Sequence, residues 1–148
     1  MMRFVRFSDI ASPYSHGVHM PPFAIVCDDE PHIRSSVRFA LQRAGFDVEV
    51  YEDGDLALQA ITHRKPDLLV TDNQMPQMSG TELTQRLRAD ASLSEIPIIM
   101  LTAKTFEVTE DELRQVAGVD AVLSKPFSPR ELKSLAQFLS NYQPTPNV

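Results

Sequence analysis

Five short apolar runs, each followed by a segment of helical periodicity, constrain this chain more than any other feature. The runs are FAIVCDDE, FDVEVYE, PDLLVTD, IPIIMLTA and VDAVLSK. Between and after them come PHIRSSVRFALQRAG, DGDLALQAITHR, SGTELTQRLRAD, TEDELRQVAG and SPRELKSLAQFLSN. Only FDVEVYE alternates clearly; most of the others are continuously apolar, which means burial on both faces. A strand of that kind belongs in a parallel sheet with helices on both sides. Right-handed crossovers then leave few topologies. The expected fold is a doubly wound (βα)5 sheet with strand order 2-1-3-4-5.

The helical segments carry their own signals. Ile33, Val37, Ala40, Leu41 and Ala44 recur at helical spacing, and Gly45 stands where a C′ glycine ends a helix. Leu56, Ala60 and Ile61 are expected on one face of the second helix, and Leu83 and Leu87 on that of the third. Ser79 and Thr81 are cap candidates there. Acids open the fourth helix, as the helix dipole favours, and Gly118 follows it. Ser128, Pro129 and Glu131 form a capping box with proline at the first helical position.

The regular pattern begins after Pro21-Pro22, so residues 1–21 read as a flexible extension. Residues 22–141 then form the folded domain and 142–148 a flexible tail. His16 and His19 fall in the extension and read as part of a leader, and Met20 would itself serve as a start. A chain of 148 residues suits one core. Its net charge of −6 argues against direct nucleic-acid binding, which needs a basic surface. The single cysteine, Cys27, excludes an internal disulfide and fits a reducing, cytoplasmic setting. Within its apolar run it reads as core packing. No apolar stretch approaches the ~18 residues of a membrane span, and the N-terminus lacks the apolar region of a secretory signal.

Ligands of open parallel sheets bind outside the carboxyl ends of the strands. The first strand ends in Asp28, Asp29 and Glu30, and the third in Asp72. The fourth ends in Thr102-Ala103 and the fifth in Lys125-Pro126. With the order above, these ends converge. Clustered carboxylates repel by about 1 kcal/mol per pair at ~4 Å in water, and by more near a protein surface. The cluster therefore needs protonation, a counter-ion or a metal. Hard oxygen ligands suit Mg²⁺, and Lys125 adds a second positive group. A carboxylate beside both is suited to accept a phosphoryl group as a nucleophile.

These motifs resemble the receiver (CheY-like) domain of two-component response regulators, whose fold is flavodoxin-like. The resemblance rests on VCDDE, TDNQMPQMSG, MLTA and LSKPF in that order, and covers about residues 22–141. It implies that Asp72 is the phosphoacceptor and that Asp28 and Asp29 hold Mg²⁺ together with Asp72 and the backbone carbonyl of Gln74. It implies that Lys125 contacts the phosphoryl oxygens, that the Lys125–Pro126 bond is cis, and that the Thr102 hydroxyl moves toward the phosphoryl group. Gln74 and Lys104 match positions that tune phosphoryl lifetime. Val122 departs from the pattern: family members often carry Tyr or Phe there, three residues before the lysine, as a rotating switch aromatic.

The resemblance implies a phosphorylation-dependent switch. A histidine kinase or a histidine phosphotransfer protein supplies the phosphoryl group, and a protein target or output domain reads it. The chain would catalyse only its own phosphorylation and dephosphorylation. The fourth helix, fifth strand and fifth helix, around Arg114, Asp120 and Arg130, are the expected moving face and a homodimer face. The chain ends soon after its fifth helix, so it reads as a stand-alone regulator or as a receiver cut from a longer protein. Taken singly, each residue has an ordinary reading. Asp72 can be a turn residue, Asp28 and Asp29 helix-dipole acids, Lys125 a surface lysine and Thr102 a strand former. His32 and His63 read as surface residues, Met75 and Met78 as loop packing. Two other functions compete. One is a phosphorylation-independent binding module of receiver shape; the full set of site residues argues against it, and Val122 keeps it open. The other is a Mg²⁺-dependent phosphatase with an aspartate nucleophile; Gln74, two residues after Asp72, cannot serve as its general acid.

Overall fold

Burial on both faces, read from the apolar runs, decides the architecture. The computed structural model describes residues 20–103 and 109–141. Five parallel strands, β1 (Phe23–Cys27), β2 (Asp47–Tyr51), β3 (Leu68–Asp72), β4 (Ile98–Ala103) and β5 (Ala121–Lys125), form one sheet in the order β2-β1-β3-β4-β5. The central β1 and β3 are buried at every position. The alternating run is β2, an edge strand with exposed Asp47 and Glu49. Its alternation is the mark of a strand covered on one face only.

The helices α1 (Pro31–Arg43) and α5 (Pro129–Ser140) cover one face. The opposite face carries α2 (Gly54–His63), α3 (Gly80–Ala89) and α4 (Glu110–Ala117). Neighbouring residues of one strand enter different cores. Ala24, Val26, Leu68 and Val70 pack with Val37, Leu41, Leu132 and Ala136; Ile25, Cys27 and Leu69 pack with Ile61, Leu83 and Leu87. Each fully buried aliphatic side chain contributes roughly 1.5–3 kcal/mol.

The helix ends follow the local chemistry. Ser79, not Thr81, caps α3 by accepting the Glu82 N–H, and Ser128 and Glu131 complete the reciprocal box of α5. Thr109 caps α4, and Gly118 ends it in the left-handed region at φ 78°. Past α1, Gly45 takes φ 102°, and the Phe46 N–H reaches back to the Leu41 carbonyl. The second helix differs from expectation. It buries Gly54, Ala57 and Ile61, and leaves Leu56 exposed. A Cβ on Gly54 would meet Met78, so the small residues face inward where the backbone runs close.

One side chain locks the sheet end away from the carboxyl ends. Arg88 Nε donates to the Gly118 carbonyl at 2.9 Å, and Nη1 donates to Ser94 at 2.9 Å and Ile96 at 2.7 Å. Its Nη2 meets Asp120 Oδ2 at 2.9 Å, and that oxygen also accepts the Ile98 N–H at 2.8 Å. Asp120, expected on the moving face, is thus tied to α3 and β4. Lys104 lies outside the described residues.

Candidate functional site

Parallel strands bring their carboxyl ends to one edge. β1 and β3 are neighbours, with Cys27 opposite Thr71, so the residues that follow are adjacent too. Asp28, Asp29 and Asp72 each direct one oxygen into a common volume, all within 4.8 Å of one another. Asp28 and Asp72 are buried and Asp29 is exposed. From β5, Lys125 Nζ lies 3.2 Å from Asp28 Oδ2, 3.2 Å from Asp72 Oδ1 and 3.1 Å from Glu30 Oε1. The Asp28 backbone carbonyl accepts from Arg34 Nη1 at 2.7 Å, and its Oδ1 accepts the Glu30 N–H at 2.9 Å.

Asp28 Oδ2 is the informative atom. It is buried, has no hydrogen-bond partner, and has Lys125 only at ion-pair distance. A buried carboxylate oxygen in that condition is costly. Together with an exposed carboxylate and a second buried one, it makes a hard-oxygen donor set open to solvent, which fits a divalent cation that keeps some of its waters.

The electrostatics agree. Burial, then the Asp28 charge, pushes Asp72 from 3.8 up to about 6, against the opposing pull of Lys125. Burial also raises Asp28, although the Glu30 N–H and Lys125 oppose it. For Lys125, burial works to lower the pKa, but Asp72, Glu30 and Asp28 outweigh it and the net displacement is upward. Without a further cation, the site holds more negative charge than it can easily accommodate.

The loop behind Asp72 is built tightly. The Asn73 N–H donates to Leu101, and its carbonyl accepts from the Gly80 N–H at 3.0 Å. Asn73 Oδ1 accepts from both the backbone and the hydroxyl of Thr81, at 3.1 and 2.7 Å. Gly80 passes so close that a Cβ there would run into the Asp72 carbonyl oxygen. Gln77 takes φ 70°, and the Met78 N–H closes a three-residue turn onto the Pro76 carbonyl at 2.8 Å. Met78 is buried beneath it.

The remaining residues fall as follows. The Lys125–Pro126 bond is cis. Thr102 is half-buried near the end of β4, and its hydroxyl donates to the Ala103 carbonyl at 3.1 Å. Gln74 is exposed in the loop after β3. Val122 is buried in the core beneath α3 and α4, opposite Met100. Cys27 Sγ lies 3.2 Å from Met75 Sδ; burial, then Asp53, pushes the thiol up to about 12, so it is no nucleophile. His32 and His63 are exposed. Glu30, named in the sequence only as one of the strand-end acids and given no role, also reaches Lys125. Its only signal was its place after Asp28-Asp29, which is equally that of a helix-start acid.

Comparison with known proteins bears on the same residues. The response regulator receiver domain family matches residues 24–137. The phosphate regulon transcriptional regulatory protein PhoB of Pseudomonas aeruginosa is 44% identical over 108 residues, which are 73% of this chain and 47% of that protein. The chain therefore spans about half the length of the curated relatives it matches. Among solved structures, a response regulator from Chloroflexus aurantiacus superposes with a TM-score of 0.78 at 29% identity, over 83% of this chain and all of that one. The receiver domain of a sensor histidine kinase from Pseudomonas aeruginosa gives 0.75 at 25% identity, over 83% and 100%. Its structure is described with a magnesium ion coordinated in the active site cleft.

Proposed function

Because the chain belongs to the response regulator receiver family of two-component signalling, we propose that it is switched by phosphorylation at Asp72. The observation that carries the reading is the convergence of Asp28, Asp29 and Asp72 within 4.8 Å, with Lys125 reaching over them. In this reading Asp28, Asp29, Asp72 and the Gln74 carbonyl would hold Mg²⁺, and the ion would supply positive charge against the phosphoryl oxygens.

The protein's own part is positioning and charge. An Asp72 carboxylate oxygen attacks phosphorus, and the bond from phosphorus to the leaving group breaks. The leaving group keeps that electron pair. In a histidine donor it is the imidazole nitrogen. Lys125, already 3.2 Å from Asp72 Oδ1, then donates to a phosphoryl oxygen. The Thr102 hydroxyl must leave the Ala103 carbonyl to reach the same group. That exchange biases β4, and Gln74 and Lys104 tune the phosphoryl lifetime. With Val122 buried in place of an aromatic, the readout runs through Thr102 and the loop behind Asp72. A coupling of ~1–3 kcal/mol would suffice.

The partners in this reading are a histidine kinase or histidine phosphotransfer protein upstream and a protein target or output domain downstream. A homodimer forms through α4, β5 and α5. The receiver unit is residues 22–141, and its setting is the cytoplasm. Among the described residues no helix is long and apolar enough to cross a membrane.

The test is incubation with acetyl phosphate and Mg²⁺ followed by intact mass. The expected result is one phosphoryl adduct, lost in Asp72→Asn and absent with EDTA. No adduct under any condition would overturn the reading in favour of a phosphorylation-independent binding module.

A further inference from the structure

Glu30 stands at the N-cap of α1, yet its side chain makes no cap bond. A carboxylate at a helix N-terminus ordinarily lies over the free N–H groups, where the dipole favours it. Glu30 turns away instead. Its Oε1 accepts from Lys125 Nζ at 3.1 Å, across 95 positions of sequence. An ammonium has three donors, and three carboxylates surround this one. Of the three contacts, that to Glu30 has hydrogen-bond geometry, while Asp28 and Asp72 lie at ion-pair distance. Glu30 is also the most exposed of the three, its side chain 48% accessible. The lysine thus has a third anionic partner on the solvent side of the site, besides the two buried ones.

We propose that Glu30 is a positioning residue that restrains phosphoryl transfer to Asp72, by occupying a Lys125 donor that the arriving phosphoryl group needs and by opposing that group's charge. The inference rests on the phosphorylation reading above. Lys125 must exchange Glu30 for a phosphoryl oxygen as the bond from Asp72 to phosphorus forms and the leaving-group bond breaks. Glu30 itself makes no bond to phosphorus and moves no proton. Its carboxylate faces a donor that arrives as an anion, so the same charge that anchors the lysine repels the substrate.

The experiment measures the rate of adduct formation from acetyl phosphate, at Mg²⁺ saturating for each variant. His32 Nε2 lies 3.9 Å from Glu30 Oε2, so all rates are read at one pH. Glu30→Gln keeps an acceptor and removes the charge; Glu30→Ala removes both. Both are expected to react faster than the wild type, by about two- to fivefold, as for a partly exposed ion pair. The gain should shrink as salt rises toward ~1 M, where screening is nearly complete. A merely structural contact would change the melting temperature without producing a salt-dependent rate gain. Wild-type rates in both variants, or slower rates in both, would overturn the inference while leaving the phosphorylation reading intact. No adduct in the wild type would overturn both.

Discussion

Replacing Asp72 with Asn should stabilise the metal-free fold, and the size of the effect follows from the site. In the folded chain burial and Asp28 raise Asp72 from 3.8 to about 6. That difference corresponds to about 3 kcal/mol of cost for holding the carboxylate ionised. Asparagine matches the protonated acid in shape and removes the charge. It also removes one of three anions around Lys125, which keeps Asp28 and Glu30. The net gain at pH 8 without metal should therefore be roughly 1–2 kcal/mol, below the full value. The sign with pH is fixed. A group whose folded pKa is raised is penalised only when ionised, so the penalty is absent below 3.8 and complete above about 6. Urea unfolding in excess EDTA at pH 4, 6 and 8 measures it, with equal m-values required for the comparison. The variant should match the wild type at pH 4 and exceed it at pH 8. Added Mg²⁺ should raise the wild type more than the variant and narrow the gap. A gap independent of pH, or a wild type more stable than the variant at pH 8 without metal, would refute the electrostatic account of this site.

Gly80→Ala should cost about 1–3 kcal/mol, since its Cβ runs into the Asp72 carbonyl and backbone must move; urea unfolding measures the loss, and slowed adduct formation would show that the displacement reaches Asp72. Arg88→Ala should cost ~2–3 kcal/mol through three orphaned carbonyls and Asp120. Its adduct-formation rate should stay at wild type, because Arg88 lies at the other end of the sheet; a changed rate would mean the two ends are coupled. Lys125→Ala should raise the Asp72 pKa further and slow adduct formation at least tenfold; NMR titration of the carboxylate and intact-mass kinetics read the two effects separately.

The order of elements, the parallel sheet and the strand ends were legible in the chain, because continuous apolar runs and capping residues are local properties. FAIVC and LLVTD state their double burial in their own composition, and Ser128-Pro129-Arg130-Glu131 states its helix start. Topology then places Asp28, Asp72 and Lys125 at one edge. The face of α2 was not legible, because Leu56 looks like a core residue until Gly54 is seen against Met78. Asp120 was expected on the moving face, and only the structure shows Arg88 and the Ile98 N–H claiming its carboxylate. Glu30 needed tertiary structure most of all. Sequence places it at a helix start, where an acid has an ordinary role. Only the closure of β5 beside β4 brings Lys125 across to it, and a contact between residues 95 positions apart leaves no periodic or local trace in the chain.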